Sequence, residues 1–194
     1  NGAINVLHSV GANTYTFSSL DPAIQYDFLI YPYALGTINY KTDGTVPALT
    51  AFTVTTEPGA DPTGLAFSNV AGTSLTLTWN AIGTPASSGT ERLVIVNPNS
   101  GSSFSPVDGT TYSANAAYGS GGTTGTDNFV VYKGTGTSVN ITNLIPNTNY
   151  KFSVVAFNGS GGTENYKGSG TQINQVTSPN ITSVAMFNPA ANTP

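Results

Sequence analysis

The stretch Leu144–Gly161, LIPNTNYKFSVVAFNGSG, decides how this chain is read. A leucine, a proline two residues on and a tyrosine four beyond that lead into a largely apolar stretch, Phe152–Phe157, broken only by Ser153. Tyr, Phe and Val favour strands, while Asn, Gly and Pro mark the turns on either side. The pattern has already occurred once. Setting Leu20 on Leu144, a shift of 124 residues, puts Pro22 on Pro146, Tyr26 on Tyr150, Phe28 on Phe152 and Tyr33 on Phe157. The same shift lays Asn5–Leu20 on Phe129–Leu144 without a gap, and after a two-residue slip Asn39-Tyr40-Lys41 meets Asn165-Tyr166-Lys167. Apolar and aromatic positions coincide over about 40 residues, the mark of an internal repeat.

The second copy is preceded by two further strand signals. TSLTLTW (Thr73–Trp79) alternates Leu75, Leu77 and Trp79 with Ser74, Thr76 and Thr78, the period-two pattern of a half-buried strand. RLVIV (Arg92–Val96) is a continuous apolar run, as in a strand covered on both faces. The first copy starts too close to Asn1 to contain their counterparts. The tail VAMFNPAANT (Val184–Thr193) reads like LAFSNVAGTS (Leu65–Ser74), the opening strand of the complete copy. The expected organisation is therefore the C-terminal half of one domain over 1–58 and a complete domain over 59–178. The first strand or linker of another follows over 179–194. Short strand signals with turns every 8–12 residues predict an all-β fold, an antiparallel β-sandwich in tandem repeat.

Composition agrees with a β-rich surface protein. Charged residues make up 7% of the 194, far below the usual quarter, and Ser, Thr, Asn, 22 Gly and 12 Pro supply polarity and turns. The net charge of −4 comes without a basic cluster, which argues against nucleic acid as a partner. No apolar stretch approaches the roughly 20 residues of a membrane span. The absence of cysteine excludes disulfides, thiol catalysis and thiolate metal sites.

PTGLAFSNVAGTSLTLTWN (Pro62–Asn80) and LIPNTNYKFSVVAFNGSG resemble the fibronectin type III domain, and the resemblance extends over nearly the whole chain. It implies a tyrosine corner at Leu144, Pro146 and Tyr150, and again at Leu20, Pro22 and Tyr26, with Trp79 as a core residue. In such a corner the ring fills the core edge and the hydroxyl bonds nearby backbone. The wording PVDGTTYSANAAYGSG…NFVVYKGTG resembles the variant common in large secreted proteins of Bacteroidetes-type bacteria. Two departures stand out: ERLVIV lacks the usual third-strand tyrosine, and a long segment follows it, Asn97–Asn128. The integrin-binding Arg-Gly-Asp is absent as well.

That 97–128 insertion is the first place to look for function, since loops of this length in compact domains are often functional. The competing reading is a packed excursion, with Val107, Tyr112 and Tyr118 pinning a Gly/Ser ribbon against the sheet edge and shielding it from stray pairing. Asp108 and Asp127 are oxygen donors, yet they lack calcium-loop spacing and occupy ordinary turn positions. Tyr31, Tyr33 and Tyr40 fall on or just after one strand. With Tyr112 and Tyr118 they are candidate surface binding residues, and stacking on carbohydrate is the ligand chemistry that suits them. The favoured reading is that the first-copy rings meet a neighbouring domain or a missing strand.

Catalysis has no constellation. His8 has no nucleophile at a usable spacing, Glu91 and Glu164 read as isolated acids, and Gly119–Gly125 lacks the Lys-Ser/Thr of a phosphate loop. Neither a cofactor nor a metal is expected. Asn140, Asn158 and Asn180 open Asn-x-Ser/Thr sequons, relevant only in a eukaryotic secretory pathway.

The resemblance implies a non-enzymatic extracellular spacer or adhesion module in a tandem array of a bacterial secreted or cell-surface protein. One alternative is a subunit of an extracellular fibre, with strand pairing between chains at 1–58 and 180–193. Another is an accessory, carbohydrate-binding module of a larger secreted hydrolase or nuclease.

Overall fold

The computed structural model describes residues 14–34, 39–83, 87–98 and 105–180. His8, the start of the first copy and nearly all of the strand-like tail fall outside them. All described regular structure is extended, and the chain divides into two units, Asn1–Thr53 and Val54–Pro194.

In the second unit, β5 (Ala66–Ser68), β6 (Leu75–Thr78) and β9 (Ser138–Ile141) form a three-stranded antiparallel sheet with β6 in the middle. The other sheet contains β7 (Glu91–Pro98), β8 (Phe129–Gly134), β10 (Asn149–Asn158), β11 (Asn165–Tyr166) and β12 (Thr171–Val176). Its order is β11-β10-β7-β8, with β12 also pairing β10 further along its length.

Alternation builds the core between these sheets. Leu75, Leu77, Val139 and Ile141 face Val94, Val96, Val131, Tyr150, Phe152 and Val154, with Trp79 and Leu144 at the margins. Full burial of such a side chain contributes about 1.5–3 kcal/mol. The Trp79 indole donates Nε1–H to Gly136 O at 3.0 Å and meets the Tyr132 ring edge-on at 5.2 Å. Arg92 continues the inner-face parity of Val94 and Val96 and is fully buried. Its guanidinium donates to Ser88 O at 2.6 Å and Ser88 Oγ at 3.0 Å, and burial lowers its pKa.

The alternate residues of the five-stranded sheet point the other way and are buried too. Leu93, Ile95, Val130, Val155, Phe157 and Tyr166 form a second apolar cluster on its outer face, with Tyr112 packed against it. This is why RLVIV lacks polar alternation: both faces of β7 are covered.

In the first unit β1 (Gln25–Leu29) pairs β4 (Ala48–Phe52), and β2 (Tyr33–Ala34) pairs β3 (Asn39–Tyr40). None of its described residues is buried. Tyr31, expected on one strand with Tyr33, lies between β1 and β2. The break falls at Pro32, which has no N–H for a ladder and restricts the residue before it. Val54–Pro58 join the second unit: Thr55 N donates to Thr163 O at 2.9 Å, Asn158 Nδ2 to Thr56 O at 2.8 Å, and Lys167 pairs with Glu57 at 2.8 Å.

Candidate functional site

The excursion after β7 crosses the outer face of the five-stranded sheet, and its tie points run from one sheet margin to the other. On the β11 side, Asp108 Oδ1 accepts the Tyr166 N–H at 2.8 Å and Gly109 N donates to Glu164 O at 2.7 Å. The Tyr166 hydroxyl donates to Thr110 O at 2.8 Å, and the Tyr112 and Tyr166 rings meet edge-on at 5.8 Å. On the β8 side, Asn115 N donates to Val130 O and Val130 N to Gly122 O, so the ribbon pairs with that edge. Ala117 then bridges Thr142 in parallel beside β9. The expected shield against the sheet edge is thus also a cover over the sheet face. Val107 takes no part in it through its side chain, which is 61% exposed; its N–H donates to the Tyr112 hydroxyl at 3.0 Å.

Glu164 is the knot of this cover. It is fully buried and accepts from Thr111 Oγ1 at 2.5 Å, Gly162 N at 2.8 Å and Lys133 Nζ at 3.4 Å. Lys133 also lies over the Phe157 ring, 5.4 Å from its centroid. Burial pushes the Glu164 pKa up, but the Thr111, Gly162 and Lys133 hydrogen bonds outweigh it and leave the carboxyl below its ordinary value. The acid read as isolated is therefore a buried, multiply bonded carboxylate. Sequence offered no sign of this, because Thr111 and Lys133 lie 53 and 31 residues away.

The candidate surface tyrosines separate into two groups. Tyr112 and Tyr118 are half-buried in packing. Tyr118 meets Phe129 and Tyr150 edge-on, each at 5.2 Å, and burial raises its pKa to about 12. Tyr31 and Tyr40 are exposed, and Tyr33 pairs with Tyr40 across β2 and β3, their rings 5.9 Å apart. Together with Pro32, Asn39, Lys41 and Asp43, Tyr33 and Tyr40 line an open cleft of about 500 Å³.

The corner residues occupy matching places in both units. Tyr150 OH accepts the Ile145 N–H at 3.0 Å, and Tyr26 OH accepts the Asp21 N–H at 2.9 Å. Leu144 is buried and Leu20 half-buried. Tyr112 with Val107 is a third pair of this spacing, which the sequence reading missed for want of the leucine. Ser19 and Asn143, and likewise Ala23 and Asn147, share left-handed backbone at the 124-residue offset.

Asp108 is engaged by Tyr166, and no group of three or more His, Cys, Asp or Glu that could hold a metal occurs among the described residues. Glu91 begins β7 and is half-buried, whereas Glu164 is sealed from solvent. Asn158, in the sequon, donates to Thr56 O and accepts from Thr90 N.

The Fibronectin type III domain model matches residues 60–169, more than half of the chain. The chain belongs to the fibronectin type III family. Domains of this family are generally non-catalytic structural or binding modules and commonly occur in extracellular and cell-surface proteins. Similar solved structures include the fibronectin type III domain of human fibronectin type III domain containing protein 3, at 19% identity. That match covers 69% of this chain and 97% of the other, with a TM-score of 0.42. An FN3 domain of human collagen XX is 21% identical, covering 66% and 98%, with a TM-score of 0.36. The FN1–FN3 domains of chicken CNTN1 are 14% identical, covering 84% and 44%, with a TM-score of 0.45. No curated protein matches. No helix among the described residues is long and apolar enough to cross a membrane.

Proposed function

We propose that this chain is a non-catalytic spacer and adhesion segment of a secreted or cell-surface protein, built as a tandem array of fibronectin type III-like domains. The observation that carries the reading is the duplicated geometry. The β1–β4 register, from Gln25↔Phe52 to Leu29↔Ala48, recurs in β10–β12 as Asn149↔Val176 to Ser153↔Gln172, each residue shifted by 124. Thr53 Oγ1 donates to Asp21 O at 2.6 Å and accepts the Ile24 N–H at 3.0 Å. Thr177 Oγ1 donates to Ile145 O at 2.6 Å and accepts the Thr148 N–H at 3.0 Å. Two copies of one strand-and-corner unit within 194 residues support a period near 124. The phrase from Pro106 through Gly136 supports a source among large secreted proteins of Bacteroidetes-type bacteria.

The test is the intact mass of the native polypeptide under denaturing conditions. The array reading expects a mass well above 19.9 kDa, and a native mass of 19.9 kDa overturns it. One observation favours a second reading, a fibre built by strand addition between chains. Ile30 is 68% exposed and Leu49 67%, whereas their counterparts at the 124-residue offset, Val154 and Ile173, lie in or against the sandwich core. An inner face is thus open on the first unit, and donated strands would cover it.

A further inference from the structure

We propose that the Tyr33–Tyr40 cleft of the first unit takes up a second copy of the Pro106–Tyr112 ribbon. The inference rests on the repeat, because in the second unit the matching aromatic pair is already covered by that ribbon. Tyr33 and Tyr40 pair as Phe157 and Tyr166 do, and Lys41 N donates to Pro32 O at 2.9 Å just as Lys167 N donates to Ala156 O at 2.9 Å. Since Lys41 N points into the β2–β3 pair, the N–H of its neighbour Tyr40 points away from it. In the second unit that outward N–H meets Asp108, the ring hydroxyl meets Thr110 O, and the Tyr112 ring covers the pair. Tyr166 is consequently 3% exposed, against 41% for Tyr40.

The occupant is therefore defined chemically. It is a ribbon with an aspartate to accept a backbone N–H, a carbonyl to accept a phenol, and a tyrosine four residues after the aspartate. A sugar could stack on Tyr40, but nothing in the filled copy corresponds to one, whereas the backbone N–H, hydroxyl and ring of Tyr40 each have a counterpart in the Tyr166 groups that Asp108, Thr110 and Tyr112 engage.

The test uses the full chain and a fluorescein-labelled peptide spanning Ser105–Asn115, read by anisotropy. The expected result is saturable binding that falls at least tenfold in Tyr40→Ala. In Tyr40→Phe, which loses only the hydroxyl bond, it falls about fivefold. A peptide carrying Tyr112→Ala should lose at least tenfold on the unaltered chain. Absence of saturable binding at millimolar chain overturns the proposal. So does equal binding to Tyr40→Ala, which would place the peptide in the second unit by exchange. Oligosaccharide binding that is lost in Tyr40→Ala, without peptide binding, also overturns it and assigns the cleft to sugar. A large native mass together with a silent peptide would sink this inference while leaving the array reading intact.

Discussion

Replacing Glu164 with alanine tests whether the ribbon over the sheet is held by one buried carboxylate. The substitution removes the acceptor of Thr111 Oγ1, Gly162 N and Lys133 Nζ. Hydrogen bonds to a charged group contribute about 1.5–3 kcal/mol each. Lys133 keeps 20% of its side-chain surface in water and can rehydrate, and Thr111 lies near the surface, so the low end of that range applies. The Thr111 and Gly162 bonds at about 1.5 kcal/mol each, with the 3.4 Å Lys133 contact left out because it rehydrates, give an expected loss at pH 7 of about 3 kcal/mol. The assay is urea unfolding followed by Trp79 fluorescence, which reports the second unit alone because Trp79 is the only tryptophan. With a slope of about 1.5 kcal/mol/M, the midpoint should fall by about 2 M.

The pH dependence follows from the direction of the shift. The Glu164 pKa is lower folded than unfolded, so its stabilisation is complete above the unfolded value, about 4.3, and is lost as pH falls through the folded value. Asp61, which burial raises, works in the opposite sense but is common to both proteins and cancels in the difference. The gap between wild type and Glu164→Ala should therefore narrow between pH 5 and the acid limb. A loss below 1 kcal/mol at pH 7, or a gap unchanged at pH 3, would refute the reasoning.

Other changes should behave as their surroundings dictate. Trp79→Ala should cost about 3–5 kcal/mol in chemical denaturation followed by circular dichroism, since it empties a core margin and orphans Gly136 O. Tyr150→Phe should cost about 1 kcal/mol in the same assay, while Tyr26→Phe should leave the second unit's midpoint unchanged. Gly170→Ala places a Cβ 2.5 Å from Val154 O at φ +72° and should lower Tm by several degrees in calorimetry. Millimolar calcium or a chelator should leave Tm unchanged, because the Asp108 carboxylate is already occupied by Tyr166.

The alternation of Leu75, Leu77 and Trp79 sufficed to place one inner sheet, and the corner spacing sufficed to place β10, because both signals are local. The uninterrupted RLVIV run correctly implied two covered faces but could not say what covers the second. The cover comes from Tyr112, Tyr166 and Glu164, brought together across 50 or so residues by loop geometry with no periodicity. A lone glutamate in a glycine-rich turn looks the same in sequence whether it is solvated or sealed. The break at Pro32 was legible, since proline interrupts a ladder, but the flanking tyrosines masked it. The correspondence of β4 with β12 was invisible for another reason: ALTAF and QINQV share backbone register, yet only Leu49 with Ile173 and Phe52 with Val176 keep an apolar residue in both.

Because the ribbon seals the outer side of the five-stranded sheet, the domain is unequal across its thickness. Its other broad flank, the outer side of the β5-β6-β9 sheet, presents Thr76 opposite Asn140 and Thr78 opposite Ser138, a ladder of hydroxyls and an amide without charge. A binding library displayed on this scaffold belongs on that flank, where randomised positions leave both apolar layers untouched. The sealed flank would tolerate no such diversity, since each change there loosens the lid from the sheet beneath it.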